Sequence, residues 1–319
     1  MTQRIVILGF IIFSICGFVS FESKQYEIPE VKFPKDNPFS VESIALGKLM
    51  FFDKRMSRDS SLSCASCHRE SNYFSDGLIK SIGMKGAVLD RNSPSLMYVA
   101  FQDSGLMWDR GVPSLEMQIL VPVQEHKEFD FNLKYIAERF KRDTLLVNLA
   151  QKAYNREIDE YVITRAIANF ERSLISFNSK YDKVMQGSEV FSKDEIDGYR
   201  LFYGKGKCDE CHSGILFTNN SLKNNGLYNY PYNLDSGRMN VSKNEEDRDL
   251  FKVPSLRNVA NTAPYMHDGS IESLESVLKH YANGGFMHKN KSPILNNIRL
   301  SVKEQKHLVA FLKTLTDKY

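Results

Sequence analysis

Apolar residues recur along this chain at the three- and four-residue spacing that places side chains on one face of a helix. Such spacing runs through residues 41–52, 162–174 and 308–315, and no stretch shows a convincing alternation of apolar and polar positions. The pattern therefore predicts a mostly α protein. The apolar positions of these predicted helices are Val41, Ile44, Ala45, Leu49 and Phe52; Val162, Ala166, Ile167, Phe170 and Leu174; and Leu308, Phe311, Leu312 and Leu315.

Polar residues stand where helices are predicted to begin. Ser40 is placed to cap the first helix, because a serine side chain at this position accepts a hydrogen bond from a free backbone N–H group. Ser192-Lys193-Asp194-Glu195 and Ser301-Val302-Lys303-Glu304 both have the Ser-x-x-Glu form of a capping box. These signals predict that further helices begin directly after Ser192 and Ser301.

The two halves of the chain resemble each other in sequence. This similarity predicts two tandem domains related by duplication, one over residues 40–187 and one over residues 188–319, with the boundary near Gly187. The matched segments are Ile44-x-x-Gly47-x-x-Met50-Phe51 with Ile196-x-Gly198-x-x-Leu201-Phe202; Pro94-Ser95-Leu96-x-x-Val99-Ala100 with Pro254-Ser255-Leu256-x-x-Val259-Ala260; Trp108-Asp109-x-Gly111 with His267-Asp268-Gly269; and Ser114-Leu115-Glu116 with Ser273-Leu274-Glu275.

The N-terminal segment has the composition of an export signal. Arg4 supplies a positive charge, and residues 5–21 form an apolar run with no charged residue. Residues 1–21 are therefore predicted to be either a cleaved signal peptide or a retained membrane anchor, and the folded part is predicted to be periplasmic. Residues 22–39 contain spaced prolines and no periodic apolar pattern, which predicts a linker.

The length of 319 residues allows two domains of ordinary size, and a net charge of +3 is too small to indicate a nucleic-acid partner. Of the five cysteines, four belong to two Cys-x-x-Cys-His motifs, and Cys16 lies in the apolar N-terminal run. This arrangement leaves no cysteine pair for a structural disulfide.

The two Cys-x-x-Cys-His motifs predict two covalently attached c-type haems. In such a motif both thiols can bond to the haem vinyl groups while the adjacent imidazole binds the iron. The alternatives are a zinc site, which would need the cysteine pairs to converge, and a redox disulfide. The motifs are Cys64-Ala65-Ser66-Cys67-His68 and Cys208-Asp209-Glu210-Cys211-His212.

From Ser40 to Asp317 the chain resembles the bacterial dihaem cytochrome c peroxidase family, including MauG. The resemblance is carried by the two haem motifs together with further segments of similar sequence. It implies a peroxidatic haem in the N-terminal domain and an electron-transfer haem in the C-terminal domain. These further segments are 46–53 (LGKLMFFD), 169–174 (NFERSL), 252–258 (KVPSLRN) and 262–269 (TAPYMHDG).

The resemblance also assigns roles to individual residues. It implies that His68 and His212 are the proximal iron ligands. Glu128 matches the catalytic distal glutamate, and Gln118 matches its companion amide. Trp108 matches an indole that relays electrons between the two haems.

Three further residues match the calcium site that lies between the domains in this family. They are Asn92, Thr262 and Pro264, which would offer side-chain and backbone oxygens to a hard cation.

Two positions depart from the standard peroxidases. Tyr281 stands where those enzymes have an axial methionine on the second iron, and this tyrosine is the MauG pattern. His280, His288 and Met287 are the alternative ligands. Met84 stands in place of a histidine that blocks the first iron, so that iron is predicted to be open, with Met84 as the alternative distal ligand.

The resemblance implies an exported peroxidase that reduces hydrogen peroxide with electrons from a small cytochrome c or cupredoxin. One alternative is a MauG-like oxidase that uses a bis-ferryl state on a protein or another large substrate. Another is a dihaem electron carrier without catalysis. A homodimer is also predicted, because the standard relatives are dimers.

Overall fold

The computed structural model describes residues 26–102, 105–228 and 235–317, so the predicted signal or anchor segment and Cys16 lie outside the described residues. The described part is mostly helical, which confirms the predicted fold class. Its helices are α1 (Val41–Phe52), α2 (Cys64–Cys67), α3 (Leu115–Gln118), α4 (Leu120–Gln124), α5 (Leu133–Phe140), α6 (Thr144–Tyr154), α7 (Glu160–Arg172), α8 (Lys180–Met185), α9 (Lys193–Tyr203), α10 (Met239–Ser242), α11 (Leu274–Ala282) and α12 (Val302–Lys313).

Short elements connect these helices. Two-residue strands β1 (Leu222–Lys223) and β2 (Phe251–Lys252) form an antiparallel ladder. A membrane span needs about 20 mostly apolar residues, and no helix within the described ranges has that length and apolarity. Single 3₁₀ turns cover Lys54–Met56, Glu70–Asn72, Met84–Gly86, Val99–Phe101, Cys208–Glu210, Glu245–Asp247, Val259–Asn261 and Pro293–Asn297.

The predicted helix starts are confirmed. The Ser40 hydroxyl accepts from the Ser43 backbone N–H at 3.0 Å and caps α1. Both predicted capping boxes form, at Ser192 before α9 and at Ser301 before α12. These contacts depend on neighbours three residues away, which is why the sequence alone predicts them.

Two separate hydrophobic cores divide the chain. The first is built by buried residues between Leu46 and Leu174, and the second by buried residues between Tyr181 and Leu315. Tyr181 belongs to α8, so α8 packs with the second core. The two lists of fully buried core residues are separated along the chain between Leu174 and Tyr181, and the domain boundary near Gly187 stays a prediction.

Each core contains a pair of helices that cross at a glycine. At Gly47, where α1 crosses α7, an added Cβ would lie 1.9 Å from the Ala166 carbonyl oxygen. At the matching Gly198, where α9 crosses α12, it would lie 2.0 Å from the His307 carbonyl oxygen. Only glycine allows backbones to approach this closely, so the repeated sequence produces the same crossing in both halves.

We expect Gly47→Ala to lower the free energy of unfolding by about 1–3 kcal/mol, the usual range for an overpacked core. Alanine improves helix propensity by about 1 kcal/mol, but the backbone oxygen of Ala166 cannot rotate away from the new methyl group. Urea denaturation measures the change. Lys48→Ala, at an exposed position of the same helix turn, is the control, and a Gly47→Ala protein at least as stable as this control would contradict the prediction.

The described part of the predicted linker, residues 26–39, packs against both cores. Asn37 is fully buried, and its side-chain amide donates to Glu116 Oε1 at 2.8 Å. The Tyr26 hydroxyl donates to Asp182, which also forms a fully buried ion pair with Arg257 at 2.8 Å. The segment therefore has no helix or strand, but its side chains take part in the buried polar network.

Candidate functional site

Both Cys-x-x-Cys-His motifs line a single cavity of about 1100 Å³. Small-molecule pockets usually measure about 300–1,000 Å³, so this cavity is slightly larger than that range. Its wall includes Cys64 and Cys67 of α2, Cys208 of the second motif, Pro94 and Pro254. The fold thus places the two predicted haem sites on one continuous cavity.

The two motif histidines are oriented as iron ligands. His68 Nδ1 lies 2.9 Å from the Phe74 carbonyl oxygen, and His212 Nδ1 lies 3.1 Å from the carbonyl oxygens of Phe217 and Pro254. Since a carbonyl oxygen only accepts, Nδ1 carries the hydrogen in both rings and Nε2 is left for a metal. Burial lowers the pKa of both imidazoles, to about 4 for His212, which keeps them neutral for ligation.

The four motif thiols do not have the properties of the two alternative sites. Burial raises their pKa, to about 11 for Cys67 and about 12 for Cys208, whereas redox-active cysteines have a lowered pKa. In the described part of the chain, no three His, Cys, Asp or Glu side chains converge on a metal position. The arrangement favours covalent haem attachment over zinc or a redox disulfide.

Trp108 lies on the cavity wall and is held by main-chain atoms from both halves. Its indole Nε1–H donates to the Asn92 carbonyl oxygen at 2.9 Å, and its own carbonyl oxygen accepts from the Lys252 backbone N–H at 2.7 Å. Asn92 and Lys252 occupy matching positions of the repeat, two residues before Pro94 and Pro254. Trp108 is therefore held between main-chain segments of the two halves.

The structure places Glu128 and Gln118 on the same cavity wall. Gln118 ends α3, and Glu128 follows α4 in a turn closed by its own N–H, which donates to the Glu125 carbonyl oxygen at 3.0 Å. Burial, with a smaller contribution from the nearby Glu125 carboxylate, raises the pKa of Glu128 to about 7. Glu128 also acts electrostatically on the Cys64 and Cys67 thiols, so it lies close to the first motif.

Of the candidate ligands for the second iron, Tyr281 lines the cavity and the three alternatives do not. Tyr281 lies on α11, and burial raises its pKa to about 12. Cys211 and Cys208 make smaller electrostatic contributions to this pKa, so Tyr281 lies near the second motif. His280 Nε2 lies 2.9 Å from the Asn225 carbonyl oxygen. His288 pairs with Asp249 at 3.0 Å, and Met287 is 76% exposed. The geometry favours Tyr281.

Met84 is not on the cavity wall, although it is only 5% exposed. Its backbone N–H donates to the Lys127 carbonyl oxygen at 2.9 Å within a 3₁₀ turn. The alternative in which this thioether binds the first iron therefore has no geometric support. The predicted open iron position is compatible with this arrangement.

Asn92, Thr262 and Pro264 all lie on the wall of the cavity. The Asn92 side-chain amide donates to the Leu78 carbonyl oxygen at 2.8 Å, which leaves its Oδ1 to accept or to bind a cation. The structure thus brings the three predicted ligands to one region, and calcium binding stays a prediction.

Two buried charged residues on the cavity wall were not predicted from the sequence. Glu171, on α7, is 3% exposed, and its Oε2 has no hydrogen-bond partner among the described residues. Burial raises its pKa to about 8. Lys252, on β2, is 9% exposed. The sequence shows charged residues beside apolar ones at both places, but which side chain turns inward depends on the tertiary fold.

Comparisons with known proteins agree with this arrangement. Residues 41–190 match the family model described as di-haem cytochrome c peroxidase. The methylamine utilization protein MauG of Methylorubrum extorquens is 37% identical over 91% of this chain and 83% of its own length. Cytochrome c551 peroxidase of Nitrosomonas europaea is 34% identical over 88% of this chain and 81% of its own length.

A solved structure is also similar over nearly the whole fold. The crystal structure of a MauG-like protein associated with microbial copper homeostasis has a TM-score of 0.87 and 33% sequence identity. The match covers 93% of this chain and 95% of that one. The similarity therefore includes both halves of this chain.

Proposed function

This chain belongs to the di-haem cytochrome c peroxidase and MauG family, whose members hold two c-type haems, and from that premise we propose that it reduces hydrogen peroxide to water at the haem attached to Cys64 and Cys67. The observation that carries the proposal is Glu128, a half-buried carboxyl group on the cavity wall with a pKa of about 7. A group of this kind can both accept and donate a proton near neutral pH.

The reaction consumes one peroxide, two electrons and two protons and yields two water molecules. A haem held by Cys64, Cys67 and His68 would supply the iron that binds peroxide and the electrons that reduce it. Glu128 accepts a proton from the oxygen of peroxide that approaches the iron and returns it to the oxygen that leaves as water. The Gln118 side-chain amide hydrogen-bonds the peroxide and holds it beside Glu128.

His212 would hold the haem that receives electrons and His68 the haem at which peroxide reacts, and Trp108 would lie in the protein region between them. The donor in this proposal is a small redox protein, a cytochrome c or a cupredoxin, and the protein is exported. The hydrogen bonds that hold Trp108 from both halves support this route, because a fixed aromatic ring gives a constant distance for electron transfer.

A second candidate function is favoured by Tyr281. This residue lines the cavity at the second motif, and a tyrosinate ligand stabilises oxidised iron by donating electron density. Under this proposal the oxidising equivalents of peroxide are passed to a protein or another large substrate. Both functions share Glu128, Gln118 and the first haem.

A peroxide-turnover assay of the purified protein with both haems attached tests the proposal. We expect saturable oxidation of a reduced cytochrome c or cupredoxin when hydrogen peroxide is added. A rate no faster than that of free haem would reject the peroxidase function. Peroxide consumption without oxidation of either donor, but with oxidation of an added protein, would favour the second function.

A further inference from the structure

Lys252 is a buried cation on the cavity wall that forms no ion pair with a carboxylate among the described residues. Its Nζ donates to the side-chain oxygen of Gln102, which is neutral. The Arg110 guanidinium also acts on this lysine and repels it. Burial, followed by this repulsion, lowers the pKa of Lys252 to about 8. A charge held this way is destabilising unless an anion is nearby.

Other buried cations of this protein are paired with carboxylates. Arg257, on the wall of the same cavity, contacts Asp182 at 2.8 Å. Arg172 contacts Glu116 at 2.6 Å. Lys252 differs from these arginines because its hydrogen-bond partner is a neutral amide. This difference indicates that the negatively charged partner of Lys252 belongs to a bound group and not to the polypeptide.

The position of Lys252 identifies where that anion lies. Lys252 stands two residues before Pro254, whose carbonyl oxygen accepts from the Nδ1–H of His212 at 3.1 Å. The backbone N–H of Lys252 donates a hydrogen bond to the Trp108 carbonyl oxygen at 2.7 Å. The lysine is therefore close to the second haem motif and is hydrogen-bonded to the main chain of Trp108. A haem carries two carboxylate groups on its propionate arms.

We infer that Lys252 binds a propionate carboxylate of the haem attached to Cys208 and Cys211, and so fixes a charge pair beside Trp108. The inference rests on the two haems that the family implies. It does not depend on the peroxidase reaction, because its test measures reduction potentials in the absence of peroxide.

The test compares Lys252→Gln with the wild-type protein in spectroelectrochemical titrations of both haems between about pH 5 and pH 8. Loss of the cation stabilises the ferric state, so the potential of the second haem falls at high pH. The buried carboxylate then has a raised pKa and is protonated as the pH falls, so the difference from wild type shrinks toward low pH. The largest pH dependence that this protonation can give the variant is a tenfold change in the reduction equilibrium constant per pH unit, which corresponds to one proton taken up per electron.

Neighbouring charges must be kept constant in this comparison. They are Arg110, Lys223 on the paired strand β1, and Asp249, which precedes β2 and pairs with His288. None is altered in the variants. Lys279→Gln, which removes an exposed lysine of α11, is the matched control and should leave both potentials within error. Lys252→Arg keeps the positive charge and should restore most of the wild-type potential.

The outcomes are distinct. No pH-dependent difference at the second haem, a difference equal to that of Lys279→Gln, or a difference confined to the first haem would overturn the inference. If Lys252→Gln does not take up both haems, infrared spectra of the wild-type haem carboxylates decide. A carboxylate that stays ionised down to about pH 5, near the ordinary carboxyl range, supports the pairing, and protonation of all of them near neutral pH overturns it.

Discussion

Replacing Glu128 with glutamine is expected to lower kcat/KM for hydrogen peroxide by about 10²–10⁴-fold, the usual contribution of a positioned acid–base group. Glutamine keeps the size and a hydrogen-bonding oxygen but cannot accept a proton. Glu128 lies on the cavity wall close to the first haem motif. The measurement is initial-rate kinetics on protein whose absorption spectrum shows both haems attached.

The pH dependence of the wild-type enzyme provides an independent check. The pKa of Glu128 is about 7, and a carboxyl group accepts a proton only when it is ionised. Activity should therefore rise with pH through about 7 and fall below it. This acid limb should be absent from the residual activity of Glu128→Gln.

Glu125→Gln is the matched control, because Glu125 is exposed and raises the pKa of Glu128 through its charge. This variant should keep wild-type activity at its optimum, with the acid limb moved to lower pH. If Glu128→Gln instead keeps the wild-type rate and acid limb, another group moves the proton, and Glu171 on the same wall is the next candidate to test.

Under the proposed ligation of the His212 haem by Tyr281, replacing Tyr281 with phenylalanine is expected to remove that iron ligand. Phenylalanine fills the same space but has no oxygen to bind iron, so the haem should change from a six-coordinate low-spin state to a five-coordinate high-spin state. Electron paramagnetic resonance and absorption spectra of the ferric protein measure the change. The reduction potential of this haem should rise, because the electron-donating phenolate is lost.

The alternative ligands supply the controls for this prediction. Met287→Leu and His280→Gln change side chains that are not on the cavity wall, and both should leave the spectra unchanged. A Tyr281→Phe protein with wild-type spectra would reject tyrosine ligation. It would also remove the observation that favours the MauG-like function over a standard peroxidase.

The features that the sequence predicts best depend on neighbours along the chain. Ser40, Ser192 and Ser301 cap helices as predicted, since each capping contact spans three residues. The haem motifs are equally local, because their cysteines and histidine act within five residues. The repeat of Gly47 at Gly198 predicted two similar halves, and both glycines lie at helix crossings.

The direction in which a side chain points could not be predicted from the spacing of residues along the chain. His280 and Tyr281 are adjacent on α11, where successive side chains differ by about 100°, and only the folded structure shows that Tyr281 reaches the cavity. Glu171 and Arg172 are adjacent on α7 in the same way. Arg172 turns to Glu116, and Glu171 turns to the cavity.

The division between the halves shows a further limit. Gly187 was a reasonable boundary, because it follows the last residues of α8 and precedes the capping box of α9. Tyr181 of α8 packs in the second core, and the capping box of Ser179 and Asp182 marks the start of that helix but not the core with which it packs. Cores are formed by contacts between distant residues, which a single sequence does not reveal.

The hydrogen bonds to Trp108 have a consequence for how the two halves can diverge. One bond uses the carbonyl oxygen of Asn92 and the other uses the backbone N–H of Lys252, so neither depends on the side chain at those positions. Substitution at either position leaves the indole in place. An amide side chain can therefore occupy one copy of the repeat and an ammonium group the other. The two haem sites can evolve unequal chemistry without moving the aromatic ring that both halves hold in place.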